Sequence, residues 1–341
     1  MKTDTTLFYA SAGKILVSLA ALVLVERDGF DLDSHEELAK VVPEIGKGYP
    51  GSRVWELFDG KDEKGEWRFK EAEKGITLRH LLTHTAGFAY EFAKEECAWA
   101  HAQLKDGGFS ATSAEIYQMP RLFEAGEKHN YGANNGHTAL FIIRKSDLSF
   151  RRALQQLVLP PLSIPLESVD TFLTPELRKD LAEVAVRTTE TSFSPLPSAP
   201  FAGGKPLLSP ELWKLATQDD LATRGISISQ GPETPFWTSV NPMLADVAPS
   251  WAVAKDAGGD NTLGWTLLQT LYHRAETNTG HPPSTLEWAG LANSYYFVDP
   301  VNSIGAMISA QYFPFANTAM LGLRDEFVRW VYEHAPAADD K

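Results

Sequence analysis

From Ile15 to Val25 the chain runs through residues that are apolar except for Ser18. No side of such a helix can face water, so the rest of the protein has to enclose it. The run is well short of the roughly 20 residues that cross a bilayer. Lys2 and Lys14 give it the outline of a secretory signal, but Glu26-Arg27-Asp28-Gly29 follows with no small-x-small cleavage site. We therefore expect a buried helix ending at Glu26-Arg27, with Gly29 just past its C-terminus. A chain of 341 residues can build that enclosure as one large domain or as two interleaved parts.

Charge narrows the partners. With 31 basic and 44 acidic side chains the formal charge is −13, which disfavours nucleic acid and anionic membrane surfaces. The apolar share of 43% and charged share of 22% match a globular domain and exclude disordered, collagen-like or coiled-coil chains. The single cysteine, Cys97, cannot form an internal disulfide. Nothing therefore demands an oxidising compartment, and a cytoplasmic location is expected.

Up to about Arg187 the pattern reads as helices and loops. Gly46 to Gly75 is expected to be an exposed excursion with its turn at Asp59 to Gly65. Thr77 is placed as the N-cap of a short helix through His84. Further helices are expected over Asn135–Arg144 and over Leu148–Val158, the latter stopped by Pro160-Pro161. Prolines 195, 197, 200 and 206 mark an irregular link before Ser209-Pro210-Glu211 opens another helix. The last third changes to short aromatic and β-branched runs: Asn261–Leu271, Ser284–Trp288, Ser294–Asp299 and Ile304–Gln311, with a turn at Asp299 to Asn302. Leu321–Tyr332 closes the chain as a helix with Leu321, Leu323, Phe327, Trp330 and Val331 on its apolar side. The fold class is α+β: an antiparallel sheet flanked by helices, with a mostly helical part over about 30–255 and a sheet part from 1–29 plus 256–341, all within one domain (1–341).

Few catalytic signatures are present. No G-x-S-x-G elbow, phosphate loop or G-x-G-x-x-G occurs. His80 and His84, four apart, could face one metal, but with no acidic general base between them a locally hydrogen-bonded pair is the preferred reading, and no metal or cofactor is expected. Ser11-Ala12-Gly13-Lys14 is the stronger candidate. Serine and lysine three apart at a helix start lie one above the other. A lysine among apolar side chains can have its pKa depressed enough to activate the hydroxyl, and the helix start offers free N–H groups to an oxyanion. A capped helix start with a solvated lysine would leave the same pattern.

The companions of this S-x-x-K motif decide between the two. Leu7 to Lys14, Gly75 to Gly87 (which holds Thr83-His84-Thr85-Ala86-Gly87), Tyr131-Gly132-Ala133-Asn134 and Trp288-Ala289-Gly290-Leu291-Ala292-Asn293 follow in an order that resembles the serine β-lactamase-like family: class C β-lactamases, family VIII esterases and fungal acyltransferases of the lovastatin type. The resemblance implies a β-lactamase/transpeptidase-like fold. It implies Ser11 as the acylated nucleophile, Lys14 as its partner and Tyr131 as general base, with a phenolate stabilised by Lys14. It also implies an oxyanion hole from the N–H groups of Ser11 and Leu291, and substrate contacts from Trp288, Gly290 and Asn134. The Thr-His-Thr-Ala-Gly segment is taken as a structural signature, so His84 is given no chemistry.

Three departures qualify the likeness. Ala133 stands where many relatives have asparagine. Trp288-Ala289-Gly290 lacks the lysine of the Lys-Thr-Gly segment that holds a β-lactam carboxylate, so true β-lactamase activity is not expected. Relatives place two further strands before their serine and a longer glycine-rich segment near Phe201-Ala202-Gly203-Gly204-Lys205. The expected function is an acyl-enzyme hydrolase or acyltransferase of small-molecule esters or thioesters in secondary metabolism, its partners a small-molecule acyl donor and acceptor or an acyl-carrier thioester. The alternatives are a non-catalytic or truncated relative and, more distantly, a metal hydrolase built on His80 and His84.

Overall fold

The apolar run forms α1 (Lys14–Asp28), which closes on Gly29 in the left-handed conformation at φ 60°. In this computed structural model, which describes residues 5–90, 94–104, 116–132, 134–166, 169–171, 179, 185–186, 207–228, 263–273, 275–276, 279–313 and 315–335, α1 lies in the middle of the molecule. Ala20, Ala21, Leu22 and Leu24 are wholly buried, as a stripe with no polar side requires. Its neighbours are α5 (Asn135–Ser146) and α6 (Phe150–Leu157), so the helix packs on helices although the sequence grouped it with the sheet. The 3-10 turn ahead of it, Ala10–Gly13, packs on the strands Leu286–Gly290 and Ser294–Asp299 of the C-terminal sheet.

Before α5 the chain passes through α2 (His35–Val41), the strands β1 (Glu56–Lys61) and β2 (Trp67–Glu71), α3 (Leu78–Leu82) and α4 (Glu95–Ala102). The excursion expected as a loop is thus an antiparallel hairpin, Leu57 opposite Lys70 and Phe58 opposite Phe69. Its aromatic residues explain the difference: Phe58 packs edge-on against Trp67 and Trp99 and tilts onto Phe69. Such cross-strand pairs stabilise a ribbon that charge counting reads as loop. Arg121, with no exposed surface, donates to the carbonyls of Val54 at 2.6 Å, Lys74 at 3.0 Å and Ala86 at 3.4 Å. One guanidinium therefore ties the hairpin to the segment after α3.

The expected caps at Thr77 and Ser209 are present: Thr77 Oγ1 accepts from the His80 N–H and Ser209 Oγ from Leu212, the latter opening α7 (Pro210–Thr217). Ser149, which the sequence reading did not mark, caps α6 by accepting from the Arg152 N–H. A short α8 (Asp220–Thr223) follows. The proline link at 195–206 and the glycine-rich segment at 201–205 lie outside the described residues; ahead of them, β3 (Ala185–Val186) makes a short parallel pairing with a later strand.

The C-terminal sheet is antiparallel throughout, in the order β4 (Leu263–Trp265), β5 (Thr270–Tyr272), β6 (Leu286–Gly290), β7 (Ser294–Asp299), β8 (Ile304–Ser309). The run expected as one strand over Asn261–Leu271 is two, folded back at Thr266, whose hydroxyl accepts from Leu268 and Gln269 N–H. After β9 (Tyr312–Phe313), which pairs with β3, the chain ends in α9 (Thr318–His334). Met320, Leu321 and Val328 of α9 are buried, whereas Trp330, expected on the apolar side, is 46% exposed and stacks on His334. Strand alternation sends Leu286, Trp288 and Gly290 toward the helical part, and Glu287 and Ala289 toward α9. Among the described residues no helix is long and apolar enough to cross a membrane.

Candidate active site

Ser11 lies in the 3-10 turn that feeds α1, and Lys14 opens the helix itself. One turn of separation brings the Lys14 ammonium within 2.9 Å of Ser11 Oγ, to which it donates. Ala10, immediately before the serine, holds φ 45°. A non-glycine residue in that region is strained, and such strain persists only where the surroundings over-determine it.

The surroundings are two close approaches. Gly290 at the end of β6 rests on the turn, and a β-carbon there would overlap the Tyr9 carbonyl oxygen and lie 2.9 Å from the Ala12 nitrogen. Leu291, the next residue, starts the tight β6–β7 connection in which Ala292 and Asn293 have φ 66° and 60°. Gly132, after Tyr131, presses equally on Phe88 and Ala89. Each glycine stands where two sequence-distant segments meet backbone to backbone.

Tyr131 sits in an aromatic box. Its ring centroid is 4.6 Å from His84, 4.8 Å from Trp288, 5.6 Å from Tyr90 and 5.9 Å from Trp265. The Lys14 ammonium lies 5.1 Å from the Tyr131 centroid and 5.7 Å from that of Tyr90. Burial by itself pulls the Lys14 pKa down, but attraction to the Tyr131 and Tyr90 oxygens more than reverses it, and the net shift is upward. The lysine is therefore a firm cation, not the depressed amine that its apolar flank suggests. Burial pushes the Tyr90 phenol up to about 12, with Lys14 offsetting part of the rise. The Tyr131 hydroxyl is buried, and it interacts with the Lys14 ammonium and the Tyr90 phenol.

His84 supports the Tyr131 loop from behind. The helix ends at Leu82, and His84 turns away with φ 54°, so it shares no face with His80. The His80 ring instead accepts the Thr77 N–H at Nδ1. His84 Nδ1 accepts the Gly132 N–H at 3.2 Å, which puts its proton on Nε2, and it faces Asn134 Nδ2 at 2.9 Å. Burial, with His129 and Lys14 nearby, holds the His84 pKa well below its ordinary value. Among the described residues no cluster of three or more His, Cys, Asp or Glu side chains is arranged to hold a metal. A small void beneath Lys14 is lined by Ser18, Asn135, Thr138 and Trp265, which gives the one polar residue of the α1 run a polar neighbourhood.

A family model described as Beta-lactamase matches residues 1–326. The chain belongs to the beta-lactamase family. Among its relatives in that family, acyltransferase calJ of Penicillium decumbens is 24% identical over 95% of this chain and 79% of that protein. Monacolin J acid methylbutanoyltransferase of Aspergillus terreus is 31% identical, over 48% of this chain and 38% of its own length. The solved structure of simvastatin synthase from Aspergillus terreus superimposes with a TM-score of 0.70 at 21% identity, covering 98% of this chain and 85% of that one. The fold is therefore the beta-lactamase/transpeptidase-like one, α+β with antiparallel sheets and helices.

Of the residues singled out in the sequence, Ser11, Lys14 and Tyr131 converge, Trp288 walls Tyr131, and Gly290 rests on the serine turn, whereas Leu291 packs partly buried against the cluster of Ala289 and Tyr295. Asn134 stands apart from them: it is fully buried, with its amide on His84. Sequence reasoning missed Tyr90 and Trp265, and it took His84 as part of a structural signature without placing it behind the Tyr131 loop. Tyr90 sits three residues past Gly87 of a segment already noted, and that proximity was the only available signal.

Proposed function

We infer that the chain is a serine acyl-enzyme transferase or hydrolase that takes an acyl group from a small-molecule ester or thioester onto Ser11. The observation that carries this reading is the 2.9 Å hydrogen bond from Lys14 to Ser11 Oγ, made by a cation that also lies against Tyr131. Ser11 Oγ attacks the donor carbonyl, and its proton passes to Tyr131, whose phenolate form Lys14 stabilises. The negative charge that develops on the carbonyl oxygen is met by the N–H groups of Ser11 and Leu291. Collapse breaks the bond to the donor's alcohol or thiol, which leaves with the proton held by Tyr131. An acceptor alcohol, amine or water then gives its proton to Tyr131 and attacks the acyl-enzyme; as the bond to Ser11 Oγ breaks, Tyr131 returns that proton to Ser11 and is again the phenolate.

Trp288 forms the wall beside Tyr131. With Trp288-Ala289-Gly290 offering no cation, the site suits neutral or bulky acyl groups better than a β-lactam carboxylate. The names of the relatives, an acyltransferase of Penicillium decumbens and a monacolin J acid methylbutanoyltransferase of Aspergillus terreus, support a short acyl donor, carried as a free thioester or on an acyl carrier, and a small-molecule acceptor, in secondary metabolism. Asn134 orients Tyr131 through His84 in this reading. A buried Cys97 with no disulfide fits a reducing cytoplasm. The non-catalytic alternative is not favoured, because a protein without the reaction has no use for a strained serine turn against a buried cation.

The test is intact-protein mass spectrometry after exposure to a fluorophosphonate probe and a panel of acyl thioesters. One added adduct on Ser11, lost in Ser11→Ala, is expected. Folded wild-type protein that takes up neither probe nor acyl group overturns the reading.

A further inference from the structure

Gln311, just past β8, is 2% exposed and holds φ 53°. Its side chain reaches across 303 residues of sequence to a single backbone position: Oε1 accepts the Phe8 N–H at 2.8 Å and Nε2 donates to the Phe8 carbonyl at 3.0 Å. Because a backbone N–H can only donate, the orientation of the amide is settled by this pairing. The same Nε2 approaches Ser309 Oγ at 2.8 Å and Ser294 Oγ at 3.2 Å. These two serines face each other across β7 and β8 and share a hydroxyl hydrogen bond of 2.7 Å. Ser294 in turn pairs with Gly290, the residue pressed against the serine turn.

A side-chain amide that satisfies both the N–H and the C=O of one residue does what a neighbouring strand would do. Phe8 is three residues before Ser11, and Ala10 between them carries the strained φ of 45°. A strained turn relaxes unless it is held at both ends. On one side α1 holds it, through its burial in the core; on the other the described contacts are Gly290 against Tyr9 and Gln311 on Phe8.

We propose that Gln311 is a positioning residue for the acylation of Ser11: its amide fixes the backbone of Phe8 to the β7–β8 serine pair and so sets the depth at which Ser11 meets Lys14 and the end of β6. This rests on the reading of Ser11 as nucleophile. Gln311 touches neither substrate nor the reacting atoms. Its effect is on rate through placement, where displacements on the order of 1 Å can cost about a hundredfold.

Gln311→Leu removes all four contacts at similar volume, and Gln311→Glu keeps the acceptor for the Phe8 N–H but loses the donors. The measurements are the fluorophosphonate labelling rate of Ser11, kcat and KM for a p-nitrophenyl ester, and amide hydrogen exchange at residues 8–12. For Gln311→Leu a fall of about tenfold or more in labelling rate and kcat is expected, with KM little changed and faster exchange at residues 8–12. Gln311→Glu should recover part of each. A merely structural role would lower the melting temperature without splitting kcat from KM. If folded Gln311→Leu, or Gln311→Glu where the leucine variant does not fold, labels at the wild-type rate while wild-type protein labels on Ser11, the positioning role is overturned alone. If wild-type protein does not label at all, the nucleophile reading falls and takes the positioning role with it.

Discussion

Gly290 lies so close to Tyr9 that a single added carbon would overlap the Tyr9 carbonyl oxygen. The contact holds the end of β6 against the turn that carries Ser11, two segments separated by most of the chain. Gly290→Ala must push the turn away from the strand, and since a backbone atom is in the way no side-chain rotation relieves it. We expect Ser11 labelling to fall by about a hundredfold or more while most of the protein keeps its fold. Labelling by a fluorophosphonate, compared with the circular dichroism spectrum, checks this; a rate near wild type would show that the approach does not matter.

Tyr131→Phe keeps the ring in its box with His84, Trp288 and Trp265 and removes only the hydroxyl. Loss of a general base costs on the order of 10²–10⁴ in kcat, with KM and thermal stability nearly unchanged. Lys14→Met should cost at least as much, because it removes both the Ser11 partner and the cation facing Tyr131. Steady-state kinetics on an activated ester distinguish these from a general loss of fold.

Arg121 has no exposed surface and serves three carbonyls. Arg121→Met leaves those oxygens buried without their donor, at a cost of about 2–4 kcal/mol. Denaturant unfolding should register it as a lower midpoint with little change in slope, and Ser11 labelling below the transition should persist.

Buried histidines set the acid limit of stability. Burial pulls the pKa of His80 to about 4, of His129 to about 3 and of His137 to about 4. Above the ordinary value of 6.5 both folded and unfolded chains hold them neutral. Below it the unfolded chain takes up protons that the folded one refuses, so stability is full above 6.5 and is lost as pH falls toward 4. Each such group contributes a slope of at most about 1.4 kcal/mol per pH unit. His137→Leu should flatten the curve by one such share, and unfolding midpoints measured across that interval test it. A slope unchanged by the substitution would mean that His137 does not titrate between the two states.

Much of the local structure could be read directly. The α1 run, Gly29 at its end, the caps Thr77 and Ser209, the strand over Ser294–Asp299 and the turn after it all follow from short-range patterns, because capping and alternation act within a few residues. The β1–β2 hairpin could not be, because its stability comes from Phe58, Trp67 and Phe69 meeting Trp99 of α4. The fold at Thr266 that splits β4 from β5 and the exposure of Trp330 were hidden for the same reason: composition shows that a side chain is apolar, not which partner it finds.

The site divides along the same line. Sequence alone determined that Ser11 and Lys14 share one turn of helix, since three residues of separation and helical geometry leave no other outcome, and it brought Tyr131 and Trp288 forward by resemblance. Only the tertiary structure decided the charge state of Lys14. A lysine with apolar neighbours along the chain should lose its proton more easily, yet Tyr131 and Tyr90, far away in sequence, return more electrostatic stabilisation than burial removes. Electrostatic energy depends on distance through space, and that distance does not exist until the chain has folded.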